Sequence, residues 1–119
     1  MQERRKFPRF RLSVQVRWQR YSGDAGAAPQ NEGRVKNISA GGVCLVLQEG
    51  IEVGDVLAIE IELPGGKNIL AKGRVIWIDK NVKIGEAEKV GYEGGVEFFD
   101  INKQTRKELD RFLFDLSRA

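Results

Sequence analysis

The stretch VLAIEIELPGGKNILAKGRVIWI, residues 56–78, decides the fold class. In its first half Leu57, Ile59, Ile61 and Leu63 alternate with Ala58, Glu60 and Glu62. A period of two sends the apolar set to one face of an extended strand and the acids to the other. Pro64-Gly65-Gly66 then breaks the pattern, because proline presets a turn dihedral and glycine adopts turn conformations at no steric cost. The second run, Ile69 to Ile78, reads as the returning arm of an antiparallel hairpin.

The same alternation extends in both directions. Gly54-Asp55 introduces the hairpin, and Val43, Leu45 and Leu47 alternate after a Gly41-Gly42 break. Arg34 to Ile38 is a short strand, and Val14, Val16 and Trp18 alternate with Gln15, Arg17 and Gln19. Between these two, Tyr21 to Gly33 is rich in Gly, Ala, Pro and Asn without a period, which predicts a flexible loop. Beyond Ile78, a polar connection from Asp79 to Lys89 leads to a last strand over Tyr92 to Phe98. Trp18 and Trp77 both fall inside strand patterns and are assigned to core or barrel-wall packing. Only the tail changes period: Leu109, Phe112, Leu113 and Leu116 stand at i, i+3, i+4 and i+7, one face of a helix. Asn102 is placed to cap its N-terminus. Short strands with regular turns and one closing helix predict a mainly β, antiparallel barrel or sandwich. The 119 residues suit one domain with one core.

Composition excludes more than it selects. With one cysteine, Cys44, no internal disulfide can form, and a reducing compartment is expected. The charged N-terminus does not resemble a secretory signal, and no run approaches the ~20 apolar residues that cross a bilayer. A cytoplasmic protein without membrane insertion is the expectation. There is no histidine, so the commonest general acid–base group and the usual zinc ligand are both missing. Cys44 lies within a strand run and reads as a small buried residue rather than a nucleophile. Gly65-Gly66-Lys67 lacks the spacing of a phosphate loop. Neither catalysis nor a metal site is expected.

The positive charge is concentrated at one end. Residues 1–20 hold seven basic side chains and one acid, Glu3, although the whole chain has a net charge of only +3. Such a distribution suits a local anion site better than a face that grips a polymer. Aromatic residues make up only 8% of the chain and fall mostly at core-like positions, which argues against a stacking platform for DNA or RNA.

Two segments carry chemistry. In Arg5-Lys6-Phe7-Pro8-Arg9 two guanidinium groups stand four residues apart in a piece that Pro8 keeps from becoming helix. Guanidinium matches phosphate bidentately, stacks on aromatic rings and pairs with the O6/N7 edge of guanine. In Asn37-Ile38-Ser39-Ala40-Gly41-Gly42, Asn37 and Ser39 share strand parity and offer an amide and a hydroxyl to one face. Gly41 and Gly42 there permit close approach of a backbone or a ligand. Taken singly, these segments also describe a solvated basic tail and a polar turn capped by its own side chains.

In this order and at this separation the two segments resemble the signatures of the PilZ family, RxxxR ahead of the first barrel strand and (D/N)xSxxG about thirty residues later. Val75-Ile76-Trp77 and Gly95-Val96-Glu97-Phe98 agree with the same family. The resemblance covers essentially the whole chain. It implies a six-stranded antiparallel, split β-barrel over residues 11–100, a flexible ligand-binding segment over 1–10 and a C-terminal α-helix over 102–117. It also implies a bacterial receptor for cyclic di-GMP that has no cofactor. Arg5 and Arg9 would contact phosphates and guanine, Asn37 and Ser39 would hydrogen-bond a guanine, and Gly42 would keep the surface open. Arg4, Lys6 and Gly41 would be secondary contacts. Asn37 is an accepted variant at its position, but it lacks a carboxylate to take two hydrogen bonds from guanine N1 and N2. One dinucleotide or an intercalated pair would both satisfy this description. Ordering of the N-terminal segment would signal to a protein partner, as yet unidentified. A nucleotide-independent adaptor of the same fold is the alternative.

Overall fold

The computed structural model describes residues 10–21, 31–47, 50–84 and 89–118. The six strands are β1 (Phe10–Arg20), β2 (Asn31–Ile38), β3 (Gly42–Leu47), β4 (Val56–Glu62), β5 (Asn68–Ile84) and β6 (Lys89–Asp100), followed by helix α1 (Lys103–Ser117). The strands close into an antiparallel barrel in the order β1-β2-β3-β6-β5-β4, with β4 returning to β1.

Alternation drives the closure. Along β4, Leu57, Ile59 and Ile61 are almost wholly buried, while Ala58, Glu60 and Glu62 are half-buried on the outside. Val16 and Trp18, Val35 and Ile38, Val43, Leu45 and Leu47, Ile69 and Val75, and Val96 complete the interior. Each large aliphatic side chain buried in this way contributes about 1.5–3 kcal/mol. The β4–β5 hairpin turns where expected, with the Leu63 N–H donating to the Lys67 carbonyl at 2.8 Å. In α1, Asn102 Oδ1 accepts the Thr105 N–H at 2.7 Å, the predicted cap. Leu109 and Leu113 join the barrel core, with Phe112 and Leu116 packed at its margin.

Three expected boundaries move. The strand predicted from Arg34 starts at Asn31, inside the segment assigned to a loop, because Asn31, Glu32 and Gly33 pair with Trp18, Arg17 and Val16. The last strand runs over Lys89–Asp100 rather than Tyr92 to Phe98. The supposed connection from Asp79 to Lys89 is largely strand, since Val82, Lys83 and Ile84 pair with Gly91, Val90 and Lys89. Main-chain ladder bonds need no apolar period, so this extension left no pattern to detect.

Candidate ligand-binding face

The register of the strands places the second signature on the outer wall of the barrel. Ile38, Val43, Val96 and Val75 are cross-strand partners in one inward-facing row. The neighbouring row runs Asn37, Cys44, Gly95, Trp77 across β2, β3, β6 and β5. Next to it lies a second outer row, Gln15, Arg34, Val46, Glu93, Asp79. Outward and inward positions alternate along each strand, so these two rows form one continuous surface.

Trp77 reaches this surface through a bulge. The β5–β6 register shifts between Val75 and Trp77, so Ile76 and Trp77 both escape the interior while Ile78 returns to pack against the core. An extra residue in one strand re-aims the side chains that follow it. The Trp77 ring then lies across Gly95, where an added Cβ would stand 2.0 Å from Trp77 Nε1. Glycine at 95 is therefore what allows the half-buried indole to lie flat on the wall.

The turn that follows Asn37 is held largely by itself. The Ser39 N–H donates to the Gly42 carbonyl at 2.9 Å, and the Gly41 N–H donates to Ser39 Oγ at 3.2 Å. Ser39 Oγ is also 3.4 Å from the Gly42 carbonyl, to which it can donate. A hydroxyl has two acceptor sites, so one remains for a ligand. Gly42 pairs with Glu97, and a Cβ there would come within 2.2 Å of the Val96 carbonyl oxygen. Closure of β3 on β6 therefore requires the glycine, whatever a ligand needs. From α1, the Arg106 guanidinium donates to the Ala40 carbonyl and ties the helix to the turn. Phe10, Ala40, Asp110, Leu113, Phe114 and Ser117 line an open cavity of about 240 Å³ beside this tie.

Charge on the face is mixed. Lys36 Nζ lies 2.9 Å from Glu93 Oε1, and Cys44 Sγ lies 3.3 Å from the same oxygen. Arg34 is exposed in the same row. Cys44 is buried, as predicted, but on the outer side of the wall beneath its neighbours rather than in the barrel interior. Among the described residues no cluster could hold a metal ion, and no helix is long and apolar enough to cross a membrane.

The structure thus brings Asn37, Ser39, Gly41 and Gly42 together at one rim of this face. Arg4, Arg5, Lys6 and Arg9 lie outside the described residues. Phe10, the first described residue, pairs with Ile38, between Asn37 and Ser39. Trp77 packs on the barrel wall, as its strand pattern led us to expect, but its outward facing and the place of Glu93 on the same face were not anticipated. A glycine opposite the tryptophan was the available signal for the first.

A six-stranded antiparallel barrel closed by a C-terminal helix, with a polar Asn-x-Ser-x-x-Gly turn on its rim, defines a PilZ domain. The PilZ domain family model matches residues 3–115, and the chain belongs to that family. Solved structures agree on the fold. The PilZ domain of Escherichia coli YcgR, determined with cyclic di-GMP, superimposes with a TM-score of 0.71 at 19% identity, over 98% of this chain and 93% of that one. The Bacillus subtilis inhibitor of motility, MotI, gives a TM-score of 0.72 at 22% identity, covering 97% of this chain and 51% of its own. The MrkH–cyclic di-GMP complex of K. pneumonia gives 0.71 at 20% identity, covering 96% and 52%. The chain spans about half the length of the last two. No curated protein sequence matches it.

Proposed function

We propose that this chain is a receptor for cyclic di-GMP that binds the dinucleotide on the outer face of β2, β3 and β6. The observation that carries the proposal is the β1–β2 register. Phe10, the residue that follows Arg9 in the chain, stands opposite Ile38, beside the Asn37–Gly42 turn. An extended chain covers about 3.3–3.6 Å per residue, so both guanidinium groups of Arg5 and Arg9 can reach over the face. They supply charge and forked donors for the phosphates, while Trp77 offers a flat aromatic surface for a base. Asn37 and the remaining acceptor site of Ser39 meet the base edge. Three PilZ-fold structures solved with this ligand, two of YcgR and one of MrkH, support the choice of dinucleotide.

Bound ligand would fix residues 1–9 against the barrel, and the combined surface is what a protein partner would recognise. Calorimetric titration of cyclic di-GMP, with GTP and GMP as controls, tests the reading. Native protein should bind the dinucleotide alone, and the Arg5→Ala, Arg9→Ala double variant should not bind. Absence of heat with native protein at high concentration, confirmed by a second method, would leave the nucleotide-independent adaptor. Amide spectra of residues 1–10 that are identical with and without ligand would reject the ordering step.

A further inference from the structure

We infer that Glu93 is the carboxylate that reads guanine on this face and so sets the receptor's preference for guanine over adenine. The inference rests on the receptor reading above and assigns the one role for which Asn37 is chemically incomplete. Guanine presents two adjacent donors, N1–H and the N2 amino group, which match the two oxygens of a carboxylate. An asparagine amide has a single acceptor atom, and its NH₂ group would face a donor. Asn37 and the remaining acceptor site of Ser39 offer one acceptor each from separate residues, which leaves the paired N1–H and N2–H set without a matching pair of oxygens.

Glu93 is placed to meet it. Asn37 pairs with Cys44, and Cys44 Sγ touches the Glu93 carboxylate at 3.3 Å, so only one strand separates the amide from the acid. Along β6, Glu93 stands two residues from Gly95, the position that the Trp77 ring overlies. Two residues of strand span about 6.6 Å, so a purine resting on the indole extends its edge over this carboxylate. Both contacts, from Lys36 and from Cys44, fall on Oε1, and a carboxylate accepts about four hydrogen bonds. These contacts hold the acid in place before ligand arrives, with its side chain only 14% exposed, which lowers the ordering cost of binding.

The neighbouring acids fit less well. Glu97 is beside Gly42 and paired in register with Arg74, and Asp79 is an exposed residue at the far end of its row. The Lys36 ammonium at 2.9 Å offsets the charge of Glu93 against an anionic ligand. It also places a donor where guanine carries its O6 acceptor. Adenine presents the opposite order, a donor at N6 and an acceptor at N1, and would set its N1 lone pair against the acid.

The test is the ratio of affinities for cyclic di-GMP and cyclic di-AMP, measured by calorimetry on native protein, Glu93→Gln, and Glu93→Gln combined with Asn37→Asp. Glutamine keeps an acceptor for Lys36 and Cys44, and thermal unfolding of each variant verifies the fold. Glu93→Gln should lose about tenfold or more in cyclic di-GMP affinity with little change toward cyclic di-AMP, and Asn37→Asp should restore the preference. If native protein binds cyclic di-GMP and Glu93→Gln keeps the native ratio, the assignment of Glu93 is overturned and the receptor reading stands. If native protein binds neither dinucleotide, the receptor reading falls and this inference falls with it.

Discussion

The two sides of the barrel wall are built to different rules. Over β1, β4 and β5 the ladders run without register shifts from Val16↔Ile61 to Arg20↔Leu57 and from Val56↔Arg74 to Glu62↔Asn68. Charges there are matched across strands: Arg17 meets both Glu60 and Glu62, and at the seam with β6 Lys72 lies 3.6 Å from Asp100. Lys72 also packs against the Tyr21 ring, whose hydroxyl, through a hydrogen bond, is the chief cause raising the lysine pKa above 10.5. Over β2, β3, β6 and the far half of β5 the register shifts at Val35/Asn37, Val75/Trp77 and Asp79/Val82, and the first two deliver signature and indole to the surface. Regular pairing makes the container, and the bulges aim what is mounted on it.

Substitutions on the two sides should separate these tasks. The largest effect is expected from Ile59→Ala, which empties a buried position on the regular side. It should cost about 2–5 kcal/mol in denaturant unfolding while cyclic di-GMP affinity, measured on folded protein, stays native. A matching loss of affinity would mean that the sides are not independent. Trp77→Ala should do the reverse. Losing one stacked base should weaken binding by about 1–3 kcal/mol, with a change of under about 1 kcal/mol in stability. The smallest effect is expected from Arg17→Ala, which removes exposed ion pairs. Stability should fall by about 0–1 kcal/mol, less in high salt, and binding should not change.

Legibility from sequence followed the same division. On β4 the strict alternation of Leu57, Ile59 and Ile61 predicted both strand and buried face, because one side meets the core and the other meets water. Asn102 and the Leu109–Leu113 spacing predicted the helix for a similarly local reason. On β5 the period fails at Ile76, where one extra residue reverses the facing of Trp77, and side-chain hydrophobicity cannot announce a bulge. Glu93 was invisible for another reason. Its neighbours Lys36 and Cys44 come from β2 and β3, and only barrel closure brings them to β6. The Asn37–Gly42 segment was readable because its chemistry is contiguous in the chain.

The crowding at Gly42 has a consequence for how such sequences diverge. A side chain there would collide with the β6 backbone whether or not a nucleotide is ever bound. On the receptor reading proposed above, descendants that abandon the messenger should therefore retain this glycine while the ligand-contacting residues drift first. Among relatives, an intact glycine would mark ancestry, and the arginines would mark a receptor still in use.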